Sequence, residues 1–204
     1  MSDLHCPATI VLARHAEAGF VEPWFSDEGG SLTPEGRGQA QALADSLRLR
    51  RVAAVYSSDV SRAVQTAEVV AARLGVAVTA CKSLREVCIG SLVGQAFDLR
   101  EIDAVTDQWY AGSLDARFEG EGGESGAEVV ERHRVQFEEI ADLHRGETVL
   151  VVGHQTALGI VVPALARGLS PVWARDNELA NTETVELDRD ADGWALRRWG
   201  SQIL

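Results

Sequence analysis

Short apolar runs alternate along this chain with stretches of helical spacing, and that alternation constrains the fold more than any other feature. Thr9 to Ala13 is a β-branched and aliphatic run that stops at Arg14-His15. Val52 to Tyr56 ends at Ser57-Ser58, Val76 to Ala80 forms a third run, and Val149 to Val152 delivers Gly153-His154-Gln155. Apolar runs of this length, bounded by turn residues, read as buried strands. Between them lie helix signals. Thr33-Pro34-Glu35 supplies an N-cap, a proline at the first helical position and an acid in the first turn. A cap-like start at Ser58-Asp59 opens a second helix, with Arg62 in its first turn and Gly75 as its stop. Ser125 and Glu128 form a capping box ahead of a long helix that Gly146 ends, and Thr156 to Arg167 continues as an apolar helix.

Strands separated by helices require crossover connections, which yield a mostly parallel sheet covered on both faces. The expected class is therefore α/β, a three-layer α/β/α arrangement. Thr182 to Leu187 and Trp194 to Trp199, joined by the turn Asp188 to Gly193, supply an antiparallel edge. A length of 204 residues suits one domain spanning 1–204. The region from Gly90 to Gly123 is poorly patterned, with partial helical periodicity from Phe97 to Tyr110 and a glycine-rich acidic stretch after it. It reads as an insertion over the sheet and the site. Ala18 to Leu32 reads as an irregular loop carrying Trp24 and Phe25.

A net charge of −12 argues against nucleic-acid or anionic-membrane partners, which demand basic faces. Any anion must be held by a local cluster of cations. Residues 1–8 lack the basic and apolar regions of a secretory signal, so a cytoplasmic protein is expected. Cys6, Cys81 and Cys88 form an odd set without C-x-x-C spacing, expected to be reduced and mostly in the core.

In open α/β sheets the ligand site lies beyond the carboxyl ends of the strands. That rule brings together Arg14 and His15, Ser57 to Arg62, Glu86 and His154. Guanidinium groups bind oxyanions through several fixed donors, and a helix first turn adds free backbone N–H groups. The inventory suits a phosphate pocket. A neutral imidazole can act as nucleophile, and a second one, if protonated, can stabilise equatorial oxygens in an in-line transfer.

Leu12-Ala13-Arg14-His15-Ala16-Glu17 resembles the signature of the histidine phosphatase superfamily, the phosphoglycerate-mutase-like proteins. Leu32 to Ala40, Tyr56 to Ala67, Leu84-Arg85-Glu86, Gly122 to Ser125 and Val151 to His154 match it in family order, over nearly the whole chain. The resemblance implies that His15 is a nucleophile that becomes phosphohistidine, that Arg14, Arg62 and His154 form the phosphate pocket, and that Glu86 is the proton donor. It implies no metal and no cofactor. Ser57, Gln155 and Trp24 are added as candidate substrate contacts. The chain departs from the family at Ala16, in place of a glycine, at Ala18, in place of a hydroxyl residue, and at Gln155, in place of a glycine. A loop asparagine is also missing.

Structural alternatives stand beside these readings. Glu86 could pair with Arg85, Ser57 could satisfy backbone groups, Trp109 and Tyr110 could simply pack, and His5, His133 and His144 read as structural or incidental. The expected function is a metal-independent phosphomonoesterase acting on a small phosphorylated metabolite, with no nucleic-acid or membrane partner; a homodimer is compatible with the sequence. Its specificity is expected from the insertion and the Trp24 loop. The carboxylates Glu119, Glu121 and Glu124, with Trp24 or Trp109 for stacking, would receive a neutral remainder. Alternatives are a phosphoglycerate mutase, a phosphohistidine protein phosphatase, and a non-catalytic phosphate-ligand sensor.

Overall fold

The fold, taken from a computed structural model, is described for residues 6–20, 29–96, 98–166 and 168–203. In chain order its first half contains β1 (Ala8–Arg14), β2 (Ala18–Gly19), β3 (Ser31–Leu32), α1 (Pro34–Leu47), β4 (Val52–Ser58), α2 (Ser61–Leu74) and β5 (Val78–Cys81). The second half contains α3 (Leu99–Tyr110), α4 (Gly126–Leu143), β6 (Thr148–Gly153), α5 (Gln155–Leu165), α6 (Pro171–Asp176), β7 (Thr184–Asp190), β8 (Gly193–Trp199) and β9 (Gln202–Ile203). Among the described residues, seven strands form one sheet in the order β5-β4-β6-β1-β7-β8-β9. The first four are parallel and the last three run antiparallel.

Alternation along each strand divides the apolar residues between two helical layers. In β1, Ile10 and Leu12 face a core shared with α4, α5 and the aromatic residues Trp109, Tyr110 and Phe118. Val11 and Ala13 face the other way, against Leu43 and Leu47 of α1 and Ala63, Ala67 and Val70 of α2. β6 alternates in the same sense, Val149 and Val151 joining the first core and Leu150 and Val152 the second. This is the three-layer α/β/α class expected from the alternation of runs. No described helix is long and apolar enough to cross a membrane.

Several elements differ from expectation. The stretch from Ala18 to Leu32 is not wholly irregular, since β2 and β3 pair across it. α2 begins one residue after Val60, an N-cap with no side-chain bond, so the cap-like Ser58-Asp59 does not cap it; Ser58 Oγ accepts from the Val60 amide and Asp59 pairs with Arg85. β5 starts two residues later than the apolar run. The antiparallel edge holds three strands, because β9 folds back on β8, and α6 occupies a stretch with no evident periodicity. None of the cysteines is buried: Cys6 is exposed and Cys81 and Cys88 are intermediate.

The start of α1 is tied to the loop that follows His15. Thr33 caps the helix by accepting from the Gly36 amide at 2.9 Å, and its hydroxyl donates to Glu17 Oε1 at 2.8 Å. A Cβ on Gly36 would lie 2.0 Å from the Glu17 carbonyl oxygen, whereas one on the exposed Gly38 would meet nothing within 4 Å. Two glycines in one helix therefore have opposite reasons to be there. Gly36→Ala should destabilise the protein by about 1–3 kcal/mol through overpacking, and Gly38→Ala should stabilise it by about 0.5–1 kcal/mol through helix propensity. Urea denaturation of the two variants checks both signs.

Candidate active site

The parallel register of β1 on β6 sets Arg14 beside Gly153. The residues that follow are then neighbours. The His15 amide donates to the Gly153 carbonyl at 3.0 Å, and the His15 and His154 rings lie 5.3 Å apart between centroids, tilted by 60°. β4 lies on the other side of β6, and α2 rises from its end to place Arg62 between the two rings.

Hydrogen bonds fix both imidazole tautomers. His15 Nδ1 lies 2.8 Å from the Ala16 carbonyl, which can only accept, so Nδ1 carries the proton. Nε2 is left with its lone pair and accepts from Arg62 Nε at 3.2 Å. His154 Nδ1 lies 3.3 Å from Arg62 Nη2, which can only donate, so the His154 proton sits on Nε2. Arg62, 7% exposed, also donates Nη1 to the Gly29 carbonyl at 2.7 Å, with Cζ 5.7 Å from the centre of the Phe20 ring. Arg14 Nη1 donates to the Leu179 carbonyl at 2.7 Å.

Several buried polar atoms at this end of the sheet have no hydrogen-bond partner: Arg14 Nε, His154 Nε2, Ser57 Oγ and Gln155 Oε1. Buried donors are normally paired, and orphans mark strain or a ligand position. Arg14 Nε and His154 Nε2 carry protons, and the Ser57 hydroxyl can turn to donate. The set therefore suits an oxyanion. Gln155 Oε1 is an acceptor, and half a turn of its amide would present NH2 instead.

Glu86 is placed by backbone, not by Arg85. Its Oε1 accepts from the amides of Val87 at 3.0 Å and Ala157 at 2.8 Å, and its Oε2 from Thr156 at 3.0 Å. The carboxylate thus caps the first turn of α5, the helix that His154 opens, where the free amides and helix dipole favour negative charge. Arg85 turns away to Asp59. Of the four lone-pair positions on the Glu86 carboxylate, Oε1 uses two and Oε2 only one.

Burial is the first cause of the low basicity of the central histidines. It pushes His15 down to about 4, against the Ala16 carbonyl, with the Arg62 and Arg14 charges adding to the fall. His154, 1% exposed, is held well below its ordinary value by burial, then by Arg62 and by His15. The condition attached to the second imidazole, that it be protonated, is not met. His154 is neutral beside Arg62 and offers an N–H donor instead of a charge.

The remaining candidates divide. Trp24, Phe25 and His5 lie outside the described residues. Ser57 is fully buried and its hydroxyl satisfies no backbone group, contrary to the structural alternative. Trp109 is 0% exposed and donates Nε1 to the Ala116 carbonyl, so it cannot stack on a substrate. Tyr110 is buried against Gly159 of α5, where a Cβ would lie 2.5 Å from its hydroxyl. Glu124 is engaged by Arg132 and the Cys88 amide, which removes it from the proposed acidic wall; Glu119 and Glu121 are exposed. His133 is buried with Nδ1 on the Val129 carbonyl, and His144 links Tyr56 to Glu147.

Three contributors escaped the sequence reading. Asn181 Nδ2 donates to the His15 carbonyl at 2.8 Å, from a turn in which Thr182 takes φ 61° and its amide bonds Arg14 O. A β-branched residue in the left-handed region is a marked exception. Thr66 Oγ1 accepts from the Ala16 amide, and Arg132 braces the Glu86 loop. Asn-Thr before a strand and an Arg-His pair on a helix were the available signals, and neither is distinctive alone.

A half-parallel α/β/α sheet carrying two neutral imidazoles and two guanidiniums at its carboxyl end defines an oxyanion-handling protein. Residues 10–202 match the sequence model of the histidine phosphatase superfamily (branch 1). The chain is 31% identical over 206 residues to "Phosphoglycerate mutase-like protein 4" of Arabidopsis thaliana, covering 95% of this chain and 85% of that one. It is 30% identical over 200 residues to "Probable phosphoglycerate mutase GpmB" of Salmonella choleraesuis, covering 93% and 89%. Its fold resembles a mycobacterial glucosyl-3-phosphoglycerate phosphatase with a TM-score of 0.77 and 25% identity, over 96% of this chain and 100% of that chain. The chain belongs to the histidine phosphatase superfamily and is an enzyme of the phosphatase type.

The depressed histidines make stability depend on pH with a definite sign. An unfolded imidazole takes its proton near 6.5, while folded His15 does so only near 4 and folded His133, lowered by burial and then Arg132, only near 3. Between these values the unfolded state binds more protons, so stability is full above pH 6.5 and falls as the pH is lowered towards 4. Each such histidine contributes a slope of about 1.4 kcal/mol per pH unit. Denaturation from pH 6.5 to 4.5 should show His15→Asn with a slope shallower by one proton, and an unchanged slope would refute the buried neutral state.

Proposed function

We propose that this protein is a metal-independent phosphomonoesterase that hydrolyses a small phosphorylated metabolite through a phosphohistidine on His15. The observation that carries this reading is the Arg62 guanidinium bridging both imidazoles while His15 Nε2 keeps its lone pair towards it. A phosphoryl group bound by Arg62, Arg14 Nε, His154 Nε2 and the Ser57 hydroxyl would meet that lone pair. Each cation about 4 Å from a phosphoryl charge offers roughly 4 kcal/mol at an effective dielectric near 20, before desolvation. The donors are held in place beforehand, which is what stabilises developing charge at low reorganisation cost.

In the first step Nε2 bonds to phosphorus as the bond from phosphorus to the alcohol oxygen breaks, and Glu86 protonates the departing oxygen. Its Oε2, with one amide donor against two on Oε1, is the oxygen with room for that proton. In the second step water attacks phosphorus, the P–N bond breaks, and Glu86 recovers a proton from the water. We read 90–123 as an insertion within one domain spanning 1–204. The burial of Trp109, Tyr110 and Phe118 in the same core as β1 and α5 supports it. Its placement beside α5, the helix that His154 opens and the Glu86 carboxylate caps, makes it the source of substrate choice.

A mutase reading draws on the names of the 30–31% identical relatives. A mutase must hold a second anionic group, and both arginines of 90–123 are already paired, Arg100 with Asp98 and Arg117 with Glu128. That favours a substrate with a single phosphoryl group and an uncharged remainder.

His15→Asn should reduce turnover by at least about 1000-fold, and acid-labile phosphate should be trapped on the wild type but not on the variant. Glu86→Gln should slow alkyl phosphates by about 100-fold or more and aryl phosphates, whose leaving groups need no proton, far less. Phosphate release from a panel of monophosphates should exceed phosphoglycerate isomerisation measured with bisphosphate present. Faster isomerisation would overturn the phosphatase reading in favour of the mutase.

A further inference from the structure

Arg132 lies on α4, outside the phosphate pocket, yet its guanidinium binds three backbone carbonyls of the segment that carries Glu86. Nη1 donates to the carbonyls of Ser83 and Arg85, both at 2.8 Å, and Nη2 to the carbonyl of Glu86 at 3.0 Å. Nε and Nη2 form a two-pronged pair with the Glu124 carboxylate at 2.7 and 2.9 Å. Glu124 in turn accepts from the Cys88 amide at 2.9 Å, and its own amide donates to the Cys88 carbonyl at 3.0 Å. Both side chains are largely buried, at 19% and 17% exposure. One ion pair thus holds the backbone on both sides of Glu86, from Ser83 to Cys88.

We propose that Arg132 and Glu124 are positioning residues for proton transfer, setting where the Glu86 carboxylate meets the leaving oxygen. The proposal rests on the reading of Glu86 as the acid. The carboxylate itself is fastened to α5, while its peptide is fastened to α4 through Arg132. Its position is the compromise between two helices. Proton transfer depends steeply on such placement, since a general acid must come within hydrogen-bond reach of the atom it serves. Glu124 also marks the return of the 90–123 segment, so the segment that would choose the substrate and the group that would protonate it share one anchor. Lysine keeps the charge but presents three donors from a single point, and cannot serve three carbonyls and a carboxylate in one plane.

The test compares glycerol phosphate, a poor leaving group, with 4-nitrophenyl phosphate, a good one, on each preparation of wild type, Arg132→Lys, Glu124→Gln, Glu86→Gln and the Arg132→Lys/Glu86→Gln double variant. The ratio of the two kcat values cancels the folded fraction, so a merely structural defect leaves it unchanged. Arg132→Lys and Glu124→Gln should each lower the ratio at least about tenfold, in kcat more than KM, while the double variant matches Glu86→Gln alone because the residues act through one group. Should Arg132→Lys be insoluble, Glu124→Gln gives the same reading. An unchanged ratio in these variants, with Glu86→Gln lowering it, would overturn the positioning role. So would a double variant with a ratio well below that of Glu86→Gln. If Glu86→Gln itself leaves the ratio unchanged, the acid assignment falls first and the positioning role falls with it.

Discussion

The pairing of β1 with β6 is the constraint on which the rest of this structure depends. Parallel register places Arg14 opposite Gly153, and the chain leaves both strands at once, so His15 and His154 emerge side by side. A one-residue slip would send every side chain of one strand to the opposite face. The split of Ile10 and Leu12 from Val11 and Ala13 between two separate cores therefore holds the two imidazoles in position. Apolar packing on both sides of the sheet fixes a polar site beyond its edge.

That site concentrates positive charge in a protein whose net charge is −12. Arg62 takes part in this by donating to ring nitrogens of both histidines and to a backbone carbonyl. Two consequences follow from the same burial. The guanidinium stays beside both imidazoles, and both lose basicity, which keeps the proposed nucleophile unprotonated. Loop contacts sustain the arrangement: Asn181 holds the His15 carbonyl, Thr66 the Ala16 amide, and α1 is fastened to Glu17 through Thr33.

Glu86 shows how a helix terminus can serve two ends. Its carboxylate satisfies amides that α5 would otherwise leave unpaired, and in doing so it is brought next to His154, the N-cap of the same helix. The 90–123 segment packs Tyr110 against Gly159 further along α5. Helix start, proposed acid and the segment proposed to choose the substrate are mechanically one unit.

The sequence by itself determined the α/β class, the principal strands of the sheet and most helix boundaries, because the alternation of apolar runs, the Thr33 N-cap, the Gly75 stop and the Ser125 capping box are local signals. It also determined that Arg14, His15, Arg62, Glu86 and His154 would meet, since the strand-end rule turns positions along the chain into positions in space. Only the tertiary structure decided how they meet. The His154 proton state depends on burial and on Arg62, 92 residues earlier in the chain. Glu86 answers to amides of α5 instead of its neighbour Arg85. Trp109 and Glu124, which looked available to a substrate, are consumed by packing and by Arg132. Asn181 and Arg132 gave no periodicity to read, because their roles lie in bonds to backbone atoms distant in the chain. Local sequence encodes the geometry of elements, whereas hydrogen-bond partners and desolvation belong to the surroundings that only folding assembles.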